Sequence, residues 1–196
     1  MKHLILFLLS AGLCTFSAAA QQTPKHPELV RIVDSLYNED QNCQYIKPVD
    51  SAVAAYQRAI HARFPEMKRI VDTYGFPGYD MLGKEGAGHF FVLVQHSDFD
   101  VAFQKKALEL MKPQVKKGNA SGQSYAYLTD RVEINEGRLQ IYGTQVNMSA
   151  NTQPKPCIDP KNLDKRRKSV GLSPIKDYLE QCNEAYFQLN PQEKKN

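Results

Sequence analysis

The residues best suited to chemistry are a histidine and several carboxylates in short polar motifs. His96 lies two residues before Asp98. Two residues apart on one helix, these side chains would point about 200° apart, so they could face one substrate only at a helix end. There His96 could act as a general base, because imidazole exchanges protons near neutral pH. The alternative is that Asp98 caps the following helix and that His96 is a packed, hydrogen-bonded residue.

A second candidate motif is the adjacent pair Asp130 and Arg131. Asp130 joins His96 and Asp98 as a candidate catalytic residue, since a carboxylate could orient the histidine or activate water. The planar guanidinium of Arg131 suits a carboxylate or phosphate group of a ligand. The alternative for Arg131 is an internal salt bridge with a carboxylate elsewhere, such as that of Asp159.

The segment from Gln140 to Gln145 is unusually polar for a stretch with strand character. Gln140, Tyr142 and Thr144 would share one face of a strand, so that face meets solvent, a polar network or a ligand. Gly143 would allow another backbone to approach closely. We list as candidate ligand-binding residues the polar side chains Gln95, Arg131, Gln140, Tyr142, Thr144, Gln145 and Arg166.

Two other groups of residues are weaker candidates for a functional site. The run Lys165–Lys168 would spread around a helix as a solvated face, although Arg166 or Arg167 could turn inward to meet an anion. His89 and His96 are seven residues apart, about 10 Å along a helix, which is too far to share one metal ion. There is no serine elbow, metal signature or phosphate loop, so we predict no metal and no cofactor.

The first 20 residues have the layout of a secretory signal peptide, with a charged start, an apolar run from Leu4 to Phe16 and small residues before Gln21. The apolar run is too short to span a bilayer, which takes about 20 residues. Leu13 precedes Cys14, which argues against a lipoprotein signal because a small residue is expected there. We therefore predict a secreted or periplasmic protein with no membrane attachment after the signal is removed.

The remaining chain is long enough for one domain with a hydrophobic core. We predict a flexible N-terminal lead over residues 21–27, a single globular domain over 28–187 and a frayed tail over 188–196. The formal net charge of +4 is too small to indicate a nucleic-acid partner. Three cysteines follow the signal, and an oxidising compartment would permit a disulfide. Cys157 with Cys182 is the preferred pair, and Cys43 with Cys182 is the alternative.

The apolar pattern predicts a mainly α fold with a small β-hairpin, an α+β array of several helices in a single domain. Helical spacing predicts a helix over 28–39 and another from Asp50 towards Gly75, with Pro65 starting a fresh turn. The apolar run at 89–96 fits either a buried strand or a buried helix, and we favour a helix because its flanks are helical. Asp98 or Asp100 would cap the next helix, which ends near residues 116–119.

The C-terminal half contains the predicted β element. A helix over 124–134 gives way to a small hairpin with its turn at 135–137 and its second strand at 139–142. Residues 147–156 are polar and contain proline, so they form a loop. Asp159-Pro160 then starts a helix that runs to Gly171, and Ser173-Pro174 starts the last helix.

Four polar elements in this order resemble a bacterial domain family of unknown function that is often found in secreted proteins. They are residues 95–98, YLTDR at 127–131, QIYGTQ at 140–145, and DKRR at 164–167 with VGL at 170–172. The resemblance covers about residues 28 to 180 and implies a shared fold and shared polar positions, with no established reaction. Asp40-Gln41 also resembles the family's early motif, although Cys43-Gln44 stand where a later arginine is expected.

Two functions follow as expectations. The first is an exported binding or interaction module with a polar pocket for a small-molecule, peptide or anionic ligand. The alternative is an extracytoplasmic hydrolase that uses His96 as its acid–base residue. Convergence of His96, Asp130, Arg131 and Gln145 in one concave pocket would favour chemistry or ligand binding.

Overall fold

A computed structural model describes residues 23–42 and 49–193 of the 196-residue chain. The predicted signal peptide, the start of the lead, Cys43 and the end of the tail lie outside the described residues. Within them are seven α-helices, two short strands and two 3₁₀ segments. In chain order these are α1 (Pro27–Asn42), α2 (Val49–Tyr74), α3 (Tyr79–Gln95), α4 (Val101–Lys116), α5 (Gly122–Asn135), β1 (Val146–Asn147), β2 (Gln153–Pro154), a 3₁₀ turn (Pro160–Asn162), α6 (Leu163–Ser169), α7 (Ile175–Leu189) and a second 3₁₀ turn (Pro191–Glu193).

The chain divides into two compact units, Met1–His96 and Ser97–Asn196. The prediction of one globular domain over 28–187 stays a prediction. The predicted fold class is confirmed, because helices dominate both units and the β-structure is one antiparallel hairpin of two strands in the described residues. No helix among these residues combines the length and apolarity needed to cross a membrane.

The first unit is built on the side-by-side packing of α1 and α3. The contacts run in the same direction along both helices: the Lys25 backbone N–H donates to the Asp80 carbonyl at 3.0 Å, and Asp40 pairs with His96 further along. The two helices are therefore parallel. Apolar residues at helical spacing form the buried side of the unit, as Leu29, Val33, Ile60, Met67, Ile70, Val71, Phe76, Leu82, Phe90, Leu93 and Val94.

A glycine kink interrupts α3, whereas a proline inside α2 does not end that helix. Gly83 adopts φ 71° and ψ 176° inside α3 and kinks it, a conformation that glycine takes without a steric penalty. The carbonyls of Asp80 and Met81, just before the kink, accept hydrogen bonds from the lead at Lys25 and His26. A fresh turn was predicted at Pro65, but Pro65 lies inside α2, which continues through it from Val49 to Tyr74.

The second unit begins with a helical hairpin. The Asp100 side chain accepts a hydrogen bond from the Phe103 backbone N–H at 2.9 Å and so caps α4, which resolves the predicted choice between Asp98 and Asp100. Lys105 near the start of α4 pairs with Glu136 after the end of α5 at 2.7 Å, so α4 and α5 are antiparallel. The buried residues of this unit include Phe103, Ala107, Met111, Ala126, Leu128, Val132, Leu163, Tyr178 and Cys182.

The hairpin position was predicted wrongly. The strands are Val146–Asn147 and Gln153–Pro154. Apart from Val146, they lie inside the segment 147–156 that was expected to be a loop. Residues 132–135 instead complete α5, and Gln140 makes only an isolated bridge with Cys157. The helix at residues 163–169 is shorter than predicted, because a 3₁₀ turn occupies Pro160–Asn162.

The preferred disulfide was also wrong. Cys157 and Cys182 are free thiols in this structure. The Cys157 Sγ donates to the Lys155 carbonyl at 3.3 Å, whereas Cys182 is buried on α7. Each cysteine side chain therefore contacts its own neighbours, and no disulfide joins the two.

Candidate functional site

Three side chains from three helices meet in the first unit, and we call them the Asp40 cluster: Asp40 of α1, Arg63 of α2 and His96 at the end of α3. Nδ1 of His96 lies 2.8 Å from Oδ2 and 3.0 Å from Oδ1 of Asp40. Nη2 of Arg63 donates to Oδ1 of the same carboxylate. The Asp40 side chain is 0% exposed and that of Arg63 is 3% exposed, so both charges are sequestered from water.

His96 is the partly accessible member of the Asp40 cluster, with 25% of its side chain exposed. Its position is fixed from several directions. Its backbone N–H caps α3 by donating to the Val92 carbonyl at 2.9 Å. The Tyr56 ring meets the imidazole edge-on with centroids 5.8 Å apart. None of the described residues forms a hydrogen bond with Nε2 of His96.

The geometry of the Asp40 cluster has a direct chemical consequence. An ionised carboxylate only accepts hydrogen bonds, so the contact requires a proton on Nδ1 of His96. In a neutral imidazole the lone pair then resides on Nε2. The Gln41 amide also donates to Asp40 Oδ2 at 2.7 Å, which completes the partners of a buried charge that could not remain unpaired.

A second histidine–aspartate pair lies on the same two helices. Nδ1 of His89 on α3 is 2.7 Å from Oδ1 of Asp34 on α1, and the Tyr37 ring stacks on the imidazole at a centroid distance of 3.9 Å. The Asp34 side chain is 41% exposed, in contrast to the fully buried Asp40. Asp34 also lines a cleft of about 340 Å³ beside the α3 kink, together with Thr23, Pro24, Val30, Leu82, Gly83, Lys84, Glu85 and Gly86.

Asp98 and Arg131 pair with each other in the second unit. Arg131 donates from Nη1 to Asp98 Oδ2, and the Asn135 amide donates to Asp98 Oδ1 at 3.1 Å. The buried Gln104 amide also donates to Oδ1, at 3.1 Å. The alternative of an internal salt bridge for Arg131 is therefore the one observed, although its partner is Asp98 and not Asp159.

Asp130 is a buried anchor for the segment after α5. Its Oδ1 accepts the backbone N–H groups of Ile141 at 2.7 Å and Tyr142 at 2.9 Å. Its Oδ2 accepts the backbone N–H of Thr144 at 2.8 Å and the Thr144 hydroxyl at 2.9 Å. Four donors use the lone pairs of a carboxylate that is 0% exposed, so Asp130 has no capacity left for a substrate proton.

The carbonyl groups of the same loop are held by cationic and phenolic donors. Arg166 donates to the Ile141 carbonyl at 2.8 Å and Arg167 to the Tyr142 carbonyl at 2.8 Å. The Tyr178 hydroxyl donates to the Thr144 carbonyl at 2.8 Å. One arginine of the basic run does turn inward, because Arg167 is 1% exposed, but it meets backbone carbonyls in place of an anion.

The glutamines of QIYGTQ close this loop on itself. The Gln140 side chain donates to the carbonyls of Gln145 at 3.0 Å and Lys155 at 2.6 Å, and it accepts from the Gln145 backbone N–H at 2.9 Å. The Gln145 amide donates to the Thr144 hydroxyl oxygen at 3.2 Å. The polar face predicted at 140, 142 and 144 is thus largely a polar network within the protein.

Burial raises the pKa of several groups around this loop. Desolvation raises the pKa of the Tyr142 phenol, and the nearby Tyr125 and Asp130 raise it further. Desolvation is also the main cause that raises the pKa of the Cys157 and Cys182 thiols above the usual thiol range. Neither cysteine therefore has the thiolate character of an activated nucleophile.

The structure distributes the predicted site residues over two units. His96 and Gln95 end the first unit, whereas the other predicted site residues lie in the second. It brings Asp98 to Arg131, and Asp130 to Tyr142 and Thr144.

Asp40 was not predicted from the sequence as the partner of His96. The only signal in the sequence was the likeness of Asp40-Gln41 to an early family motif. Arg63 gave no signal, since it lies on an ordinary amphipathic helix. Among the described residues, no cluster of three or more His, Cys, Asp or Glu side chains could hold a metal ion.

Comparison with known proteins gives a family and no activity. No curated protein and no solved structure matches the chain. A model of a family described as a family of unknown function (DUF6624) matches residues 48–190, which include Arg63, His96 and all of the second unit's helices. The chain therefore belongs to the family of unknown function DUF6624.

Proposed function

We propose that this protein is an exported hydrolase in which His96 is the acid–base residue and Asp40 orients it. The observation that carries the proposal is the contact of His96 Nδ1 with both oxygens of a carboxylate that is 0% exposed. A histidine held through Nδ1 by a buried carboxylate is the arrangement in which Nε2 can take and return a proton. The signal-like sequence of residues 1–20 supports export.

The proposed reaction is water addition to an electrophilic centre followed by loss of a leaving group. Nε2 of His96 takes a proton from water while the water oxygen bonds to that centre. The bond to the leaving group then breaks, and the imidazolium returns the proton to it. Throughout, the Nδ1 proton stays on His96 and donates to Asp40, which stabilises the transient imidazolium.

The loop of residues 140–145 supports a structural role better than a binding role. The carboxylate of Asp130 is saturated by the loop's own donors, and Arg166 donates to three backbone carbonyls, of Ile141, Ile158 and Asp159. Binding a ligand through these groups would require breaking bonds that hold the loop. Ligand binding by the loop residues stays a prediction.

The ligand-binding module remains the second candidate, and the cleft beside Gly83 favours it. Its volume of about 340 Å³ is at the lower end of the range for small-molecule sites. Its wall combines the apolar Leu82 with Lys84 and the carboxylates Asp34 and Glu85. These groups suit a small ligand that carries both charges. Titration with free lysine, followed by backbone amide shifts at Gly83 and Lys84, would test this function independently of catalysis.

The hydrolase proposal is tested with a panel of p-nitrophenyl acetate, phosphate, phosphodiester and glycosides. We expect His96→Ala to lower turnover of any hydrolysed member by about 10²- to 10⁴-fold, the usual contribution of acid–base catalysis. The matched control is His89→Ala, which removes another imidazole bonded to an α1 aspartate. It should retain activity, with thermal unfolding run on both variants.

A second readout needs no substrate. Diethyl pyrocarbonate acylates an unprotonated imidazole nitrogen, so peptide mapping after brief treatment should find His96 modified at Nε2. Equal turnover in His96→Ala and the parent protein would remove His96 from the mechanism. Failure of His96 to react while exposed His61 reacts would show that Nε2 does not offer the lone pair the mechanism needs.

A further inference from the structure

We propose that Arg63 is a positioning residue that keeps His96 neutral, with its proton on Nδ1 and its lone pair on Nε2. This inference rests on the proposed function, because it explains how the base is held ready. Arg63 acts through Asp40: its Nη2 donates to Oδ1, the oxygen that His96 Nδ1 also approaches at 3.0 Å. The guanidinium and the imidazole therefore share one carboxylate.

The charge balance of the Asp40 cluster gives the physical reason. A buried carboxylate whose only strong partner is a histidine is best compensated when that histidine is an imidazolium. An imidazolium carries protons on both nitrogens and has no lone pair to accept another. The permanent positive charge of Arg63 already balances Asp40, so a further proton on His96 would give the cluster an excess positive charge.

The groups that face His96 support this account. From α1 come Asp40 and Gln41, and from α2 come Arg63 and the uncharged ring of Tyr56. Burial raises the pKa of Tyr37 on α1, and the negative charge of Asp40 raises it further. The donors that Arg63 and Gln41 direct at Asp40 suit an ionised carboxylate, which is the state that Arg63 would stabilise.

Two observations argue that Arg63 does more than hold α1 and α3 together. Nη1 of Arg63 is buried and has no hydrogen-bond partner among the described residues, so the guanidinium is not fully satisfied by its packing. The pair formed by His89 and Asp34 joins the same two helices without an arginine on its carboxylate, again among the described residues. An arginine is therefore not required to join α1 to α3 through such a pair.

The test is a pH series of long-range ¹H–¹⁵N spectra of the histidine rings in the intact chain, for the parent and Arg63→Met. In the parent we expect the Nδ1–H tautomer of His96. In Arg63→Met we expect the titration midpoint of His96 to rise by at least one pH unit, a tenfold gain in proton affinity. His89 serves as an internal control and should titrate unchanged. An unshifted His96 midpoint in a folded Arg63→Met protein would overturn the proposal.

Arg63→Lys keeps the positive charge and covers the case in which the methionine variant does not fold. It should leave the His96 tautomer and midpoint close to those of the parent; a rise of one unit in this variant would also overturn the proposal. Because these spectra need no substrate, a failed positioning role is distinguishable from a failed hydrolase function. If a substrate is found, the acid limb of kcat against pH should move upward in Arg63→Met by the same amount as the NMR midpoint.

Discussion

Replacing Asp130 by Asn should destabilise the second unit far more than its conservative chemistry suggests. The native carboxylate accepts from the backbone N–H groups of Ile141, Tyr142 and Thr144 and from the Thr144 hydroxyl. Asparagine keeps one acceptor oxygen but places an NH₂ group where the other oxygen was. In the best rotamer its oxygen accepts from Ile141 and Tyr142 while its NH₂ donates to the Thr144 hydroxyl, which leaves the Thr144 N–H buried and unpaired.

The magnitude follows from that geometry. Two hydrogen bonds change from charged to neutral acceptors, at a loss of about 1 kcal/mol each, and one buried donor is left unsatisfied at about 1–3 kcal/mol. The sum is about 3–5 kcal/mol of unfolding free energy. For a chain of this size each kcal/mol corresponds to about 2–4 °C, so Tm should fall by about 6–20 °C.

The assay is urea unfolding followed by circular dichroism, combined with amide hydrogen exchange. The amides of Ile141, Tyr142 and Thr144 should lose protection in Asp130→Asn before those of α4. The control is Asp98→Asn, whose side chain is 47% exposed and should cost about 1 kcal/mol or less. Equal stability of the two variants, or a loss of stability with normal protection in the loop, would refute the anchoring role of Asp130.

Four further predictions concern the same unit. Gly143 and Gly137 both have positive φ, of 69° and 75°, but a Cβ at Gly143 would lie 3.2 Å from a Leu163 methyl, whereas a Cβ at Gly137 would meet open space. In urea unfolding, Gly143→Ala should therefore lower the free energy of unfolding by about 2–4 kcal/mol and Gly137→Ala by about 1–2 kcal/mol. Because burial raises the pKa of the Cys157 and Cys182 thiols, few of them are thiolates at pH 8. Maleimide labelling, mapped by mass spectrometry, should therefore be slow until the pH is raised or the chain is unfolded. Recovery of a disulfide-linked peptide that contains both cysteines would contradict the free thiols. The same raised values mean that folding holds the thiol protons more tightly than the unfolded chain does, so stability should decline as pH rises through the ordinary thiol range. Tyr178→Phe removes a hydroxyl that donates at 2.8 Å to a loop carbonyl, and its thermal unfolding should show a loss of about 1–2 kcal/mol.

The secondary structure was predictable wherever a long periodic segment met a strong local signal. Leu29 and Val33 mark the buried face of α1 at helical spacing, and the apolar run before His96 is a helix as favoured. Asp100 caps α4 through a contact that spans only three residues. The hairpin was misplaced because strands of two residues are too short to show a period, and their pairing depends on the loop between them.

The amino-acid sequence by itself determined the mainly helical fold, the family and the polar motifs, because these depend on local periodicity and on residue types in order. Only the tertiary structure decided which partners those polar residues have. Asp40 and His96 are 56 residues apart and meet because α1 and α3 pack in parallel, while Arg63 reaches them from a third helix. Asp130 likewise became a loop anchor when α5 brought it beneath the N–H groups of residues 141–144. Hydrogen bonding and burial of charge are properties of three-dimensional neighbours, which no spacing along the chain specifies.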